Sequence, residues 1–183
     1  MDIKWRNLWS LKEMPWLKAH VVQGQVVVPG VCYVVLGIEA ATRLKGKKQT
    51  AGTIEIEDIT IHRALIMSDD ENKGVDVFVT VSPQEASSEC VVAKFDIYAS
   101  SDVGQTPYRV CSAKINISYS ESSSEGELAV KYSSLDENEE MSNVQPASFY
   151  LEMEKIGLRW DEPFLCDAMQ RVHYNCLRCK VQD

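Results

Sequence analysis

From Pro29 to Leu44 the chain reads as one helix with something wrapped around it. Pro29 suits the first turn of a helix, where its missing N–H would be unpaired anyway and its φ angle is already helical. Val31, Val34, Val35, Ile38 and Ala41 then recur at helical spacing, while Cys32, Leu36, Ala40 and Leu44 make the other faces mostly apolar too. A helix apolar nearly all round is a buried helix, so the remainder of the domain is expected to enclose it. Gly37 in its middle costs about 1 kcal/mol of propensity relative to alanine, which predicts a neighbour packed tightly against it.

The residues after the helix can supply that enclosure. Lys45 to Ala51 is a polar turn whose basic residues suit the helix's C-terminal dipole. Thr53 to His62 alternates through Ile54 and Ile56 and again through Ile59 and Ile61; the adjacent Glu57 and Asp58 shift the parity, which a bulge would accommodate. Val75, Val77, Val79 and Val81 alternate before Pro83, then Val91, Ala93, Phe95, Ile97 and Ala99, and a fourth segment runs from Tyr108 to Tyr119 with Ile115 and Ile117 on one parity. Asp69 to Gly74 and Ser100 to Pro107 are polar turns marked by glycine or proline. The fold class is therefore α+β, a long helix followed by a curved antiparallel sheet. Ahead of both, Trp5, Leu8, Trp9 and Leu11 give Met1 to Met14 enough apolar surface to cover part of the domain.

Length allows one domain with a real core, or one domain and an incomplete second. The net charge of -8 offers no basic surface, which excludes nucleic acid and anionic membrane as expected partners. No stretch approaches the roughly 18 apolar residues of a membrane span, and the N-terminus lacks a signal peptide's apolar core. The expected location is the cytoplasm, where the 6 cysteines should be thiols. Cys176 and Cys179 have ligand-like spacing, with Cys166 and His173 nearby, but a structural zinc site ordinarily has a second spaced pair, and no metal is expected. His62 falls on a strand without an acidic partner in sequence and is read as structural.

Ser120 to Glu140 changes character, with 7 acidic residues against Lys131 alone, and reads as a solvated linker. After Pro146, Phe149, Tyr150, Met153 and Ile156 share a helical face, and Gly157 is placed to end that helix. The last 26 residues are expected to hold no sheet of their own.

His20 is the chemical candidate. It stands just ahead of the helix start, with Gly24 four residues on and Pro29 five beyond that. An imidazole titrates at about 6.5, close enough to neutrality for a base. Gly24 permits an unusual backbone angle or a close approach to it.

These residues carry a resemblance. Trp16 through Ala41, with His20, Gly24, Pro29-Gly30, Tyr33 and Ile38-Glu39-Ala40-Ala41, resembles the first half of the dehydratase domain of fungal highly reducing polyketide synthases. Its signature is histidine, three residues, glycine, four residues, proline. The likeness continues through Ile59 to Asp70 and Gly74 to Pro83. It implies a hot-dog fold, in which an antiparallel sheet wraps a long central helix, and a double hot dog with the acyl substrate in a tunnel between two such units. Residues 1–119 would be the N-terminal hot dog, 120–146 the acidic linker, and 147–183 a truncated or divergent start of the second, so the double hot dog is incomplete. Phe149-Tyr150 and Gly157 to Trp160 are similar to the second unit's opening, where Gly-x-x-Tyr-Gly-Pro-x-Phe is the family pattern. Trp160 stands at the tyrosine, Asp161 at the glycine, and Pro163 is one place late.

The resemblance also implies a reaction: dehydration of a 3-hydroxyacyl thioester on an acyl carrier protein to the trans-2-enoyl thioester. His20 would be the base, and Asp167, in Pro163-Phe-Leu-Cys-Asp167, the weaker match to the family's acid. Gly24, Pro29, Gly30 and Tyr33 would form the substrate-binding surroundings, with the helix N-terminus available to polarise the thioester carbonyl. No cofactor would be bound by the domain itself, the substrate riding on the carrier protein's phosphopantetheine. Expected partners are that carrier protein, other synthase domains or a second hot-dog subunit, and a second copy of the chain as a homodimer. An inactive relic, a carrier-protein-binding module and a product-template aldol cyclase are the alternatives.

Overall fold

Strict alternation leaves one side of each strand apolar, and in the computed structural model those sides share a single core. Residues 2–44, 51–70, 73–101, 106–119, 142–166, 168–172 and 176–180 are described. They fall into two units, Met1–Leu17 with Val26–Ser123, and Lys18–Gln25 with Ser124–Asp183.

In the first unit β1 is Ile3–Trp9, α1 is Gly30–Leu44, and β4 (Ala51–Ile61), β5 (Val75–Ala86), β6 (Cys90–Ser100) and β7 (Tyr108–Tyr119) follow in sequence. They build an antiparallel sheet in the order β1-β5-β6-β7-β4. Val75, Val77, Val79 and Val81 are buried, as are Val91, Ala93, Phe95, Ile97 and Ala99 on the neighbouring strand and Ala113, Ile115 and Ile117 on the next. The N-terminal apolar stretch covers the domain as a strand, β1 pairing along β5 from Ile3 opposite Val81 to Trp9 opposite Val75. The expected irregularity in β4 is present: its register slips between Glu57 and Thr60, and Asp58 has a φ of 52°. β5 continues through Pro83, with a register shift between Pro83 and Glu85 that accommodates a residue lacking an N–H.

α1 packs on β4 and β7, burying Tyr33, Gly37, Ala40 and Ala41. Small residues let the helix lie close to the sheet. A Cβ on Gly37 would stand 2.9 Å from Ile56 Cδ1 and 3.9 Å from Phe95 Cε1, the tight neighbour that a glycine in mid-helix predicts. The expectation that the helix is buried all round is corrected. Val31, Val35 and Ile38 are 61%, 58% and 44% exposed, because the sheet of this unit covers one face only. Residues Val26 to Val28 run beside Leu65 to Met67, with Val28 N–H donating to the Leu65 carbonyl and Met67 N–H to that of Val26.

In the second unit β2 (His20–Val22) turns through Gln23 and Gly24 into β3 (Gln25–Val26). After β8 (Ser142–Val144), α2 (Pro146–Lys155) opens on a proline and ends where Gly157, at a φ of 86°, donates its N–H to the Glu154 carbonyl. Of its expected apolar face, Phe149, Tyr150 and Met153 are half-buried while Ile156 is 58% exposed. β9 (Leu158–Trp160) pairs antiparallel with β2. The last residues do form a sheet, contrary to expectation: β10 (Ala168–Val172) pairs with β11 (Cys176–Lys180) and with β8. The third strand comes from upstream of α2, at the end of the stretch read as linker, and two short strands become three only with it.

At Gly157 the backbone favours glycine, and a Cβ would also have to displace the Gln23 side chain. Its φ lies in the left-handed region, and a Cβ would meet Gln23 Nε2 at 2.5 Å. Gly157→Ala is expected to cost roughly 1–3 kcal/mol, seen as faster hydrogen exchange at the amides of Gln23 and Gly157; unchanged exchange would show that the turn relaxes freely.

Candidate active site

A histidine at the start of a three-residue strand is fixed by whatever pairs with that strand. His20 lies opposite Trp160, Val21 opposite Arg159 and Val22 opposite Leu158. The pairing continues at both ends, where Asp161 N–H donates to the Ala19 carbonyl at 3.0 Å and Gln23 N–H to the Gly157 carbonyl at 2.7 Å. The Gln23 side chain adds a bond from Nε2 to the Ile156 carbonyl at 2.9 Å. Gln23 and Gly24 take φ angles of 50° and 75°, and nothing lies within 4 Å of a Cβ built on Gly24. Gly24 therefore serves the turn that reverses β2, not a close approach.

The half-buried His20 ring sits among aromatic rings. Phe164 meets it edge-on at 5.5 Å between centroids, and Trp160 lies at 6.3 Å with the planes tilted by 57°. Trp160 is in turn met edge-on by Tyr150 at 6.2 Å, and Tyr150 by Phe149 at 5.4 Å. The Tyr150 hydroxyl accepts the backbone N–H of Cys166 at 2.8 Å. Sequence reasoning noted Trp160 only as a departure and missed Phe164; the available signal was that Phe164 falls on the closing phenylalanine of Gly-x-x-Tyr-Gly-Pro-x-Phe.

His20 and Gly24 belong to the second unit, and Pro29, Gly30 and Tyr33 to the first. Pro29 is buried just before α1, its carbonyl accepting the Cys32 N–H at 3.0 Å. Gly30 opens the helix, where a Cβ would lie 3.2 Å from Ile61 Cδ1, close enough that this side chain would have to shift slightly. Tyr33 is 2% exposed, and burial holds its phenol well above the ordinary pKa. Burial likewise raises the Cys32 thiol. On this helix the first unit holds an apolar cavity of about 370 Å³ lined by Trp9, Trp16, Val28, Val31 and Val35 among others.

Asp167, the candidate acid, lies outside the described residues, as does His173, and the side chains of Cys176 and Cys179 are outside them too. Cys32, Cys90, Cys111 and Cys166 are free thiols. Among the described residues no three potential ligands gather to hold a metal, and no helix is long and apolar enough to cross a membrane. His62 Nε2 is 2.9 Å from Ser112 Oγ, so its partner is a serine on the adjacent strand. Sequence also gave no sign of Asp96, a buried carboxylate held by Arg109 Nε at 2.8 Å and Lys94 Nζ at 3.2 Å.

An antiparallel sheet laid on one long helix that follows a His-Gly-Pro segment defines a hot-dog protein of the dehydratase type. The chain belongs to the polyketide synthase dehydratase domain family, whose family model matches residues 2–98. It is 47% identical over 174 residues to the reducing polyketide synthase AFT16-1 of Alternaria alternata, which covers 95% of this chain and 7% of that one. It is 28% identical over 165 residues to the hybrid PKS-NRPS synthetase tasS of Hapsidospora irregularis, covering 89% of this chain and 4% of that one. Among solved structures, the dehydratase domain from the CurK module of curacin polyketide synthase superposes with a TM-score of 0.71 at 14% identity, over 93% of this chain and 55% of that one. Two further structures of that CurK dehydratase are titled inactive mutants, one replacing a histidine by phenylalanine and the other an aspartate by asparagine. The chain thus spans just over half of the solved domain and a small part of the synthases.

Proposed function

We propose that this chain supplies the histidine half of a dehydratase site in polyketide biosynthesis, acting on a 3-hydroxyacyl thioester carried by the phosphopantetheine of an acyl carrier protein. His20 takes the proton from C2, and the C3–O bond breaks as an acid protonates the departing hydroxyl. The C2=C3 double bond of the trans-2-enoyl thioester forms and water leaves. A carboxylic acid suits the second role when its surroundings keep it protonated near neutrality, and Asp167 is this chain's candidate.

The observation that carries the reading is His20 itself. It has the His-Gly-Pro spacing in a member of the dehydratase family, held on a strand by backbone bonds at both ends. The inactivity of the CurK mutants lacking a histidine or an aspartate supports a need for one residue of each type. The test is a chimera of residues 1–166 with the stretch of AFT16-1 that follows its match to them, given a 3-hydroxyacyl pantetheine thioester. Formation of the conjugated enoyl thioester, followed by its absorbance, is expected. A folded chimera that makes none would overturn the reading.

The exposed stripe of Val31, Val35 and Ile38 supports a second hot-dog unit as partner. Val35→Glu is expected to leave the chain's own stability within about 0.5 kcal/mol, as at other exposed positions, while abolishing activity in the chimera. Full activity in that variant would place the partner elsewhere.

A further inference from the structure

We propose that Trp160 and Phe164 are positioning residues for His20, an aromatic bracket that sets which way the imidazole nitrogens point. The inference rests on reading His20 as the base, but its test does not require turnover. A general base works only when one nitrogen is within hydrogen-bond reach of the proton it takes, and a side chain at the first residue of a short strand has two torsions to fix. Directly opposite residues in an antiparallel pair bring their side chains together, and the residue opposite His20 is Trp160. Its ring lies 6.3 Å away, and Phe164, four residues on, brings a second ring to 5.5 Å at 60°.

The bracket is itself braced. Tyr150 packs its edge on Trp160 at 6.2 Å and is tied by the Cys166 N–H on its hydroxyl at 2.8 Å. The two bonds from Gln23, to the Gly157 and Ile156 carbonyls, fix the register that puts Trp160 opposite His20. Tryptophan where the family pattern has tyrosine offers a larger ring face and no hydroxyl to compete for the imidazole. The bracket is thus made by ring packing, and a phenylalanine at position 160 should preserve most of it.

The experiment is two-dimensional proton–carbon NMR of the full chain, with the His20 imidazole signals assigned by their loss in H20Q. In the wild type these signals are expected away from the positions of free histidine, displaced by the neighbouring rings. In W160L and F164L they should move toward those positions, and in W160F they should stay near the wild-type ones. Unmoved His20 signals in both leucine variants, with the Val21 and Arg159 amides still at strand positions, would overturn the proposal. If W160L loses the strand signals, F164L, which lies off the β2–β9 pair, decides the matter in the same way. An inactive chimera with these shifts as expected would instead refute the role of His20 as base and leave its bracket standing.

Discussion

Replacing His20 with alanine is expected to lower kcat for dehydration by about 10²–10⁴-fold in the chimera, the range that a positioned general base contributes, and to leave KM little changed. The imidazole acts on a proton whose transfer belongs to the transition state, so its loss removes an interaction that bound substrate does not yet enjoy. The ring also packs against Trp160 and Phe164, and a structural loss must be told apart from a chemical one. His20→Gln keeps a planar, polar side chain of similar reach and gives no base near neutral pH. Both variants should therefore be comparably inactive, while the β2–β9 amide signals remain near wild type in His20→Gln. Equal kcat for wild type and either variant would remove His20 from the chemistry.

The sheet was legible because alternation is a local signal with a global consequence. Val75 to Val81 and Val91 to Ala99 each declare one buried face, and once both are strands their apolar faces must meet the same core. Even the β4 irregularity at Glu57 and Asp58 could be read, since two adjacent acidic residues cannot both point away from a core face without a slip in register. β1 could not be read as a strand, because Trp5, Leu8 and Trp9 follow no single parity and its pairing with β5 is with residues some seventy positions away. The exposed face of α1 was misread for a related reason: Val31, Val35 and Ile38 show that a surface is apolar but not whether this chain or another covers it. Of the candidate site, His20 and Gly24 were singled out through the His-Gly-Pro spacing that carries the family resemblance. Its aromatic surroundings were not, since they arise when Trp160 and Phe164 reach His20 across a pairing of 140 positions that no local pattern encodes.

Phe95→Ala should be the most damaging single change to the first unit. Phe95 is 1% exposed on β6, between Val81 on β5 and Ala113 on β7, and its ring edge stands 3.9 Å from where a Cβ on Gly37 would be. It therefore fills the space where the middle of the sheet meets the closest approach of α1. Removing a buried phenylalanine side chain costs about 3–5 kcal/mol through lost transfer energy and an unfilled cavity. Domain stabilities are about 5–15 kcal/mol, so the variant should lose a large share of its urea midpoint or fail to fold. Phe95→Leu keeps most of the volume and should cost under about 1.5 kcal/mol, which separates cavity formation from any need for a ring. Ile38→Ala, on the uncovered face of the same helix, should stay within about 0.5 kcal/mol of wild type. That contrast tests the architecture as a whole. A helix enclosed on every side would make Ile38→Ala costly too, whereas a helix seated on one sheet and awaiting a partner makes only the Phe95 side expensive.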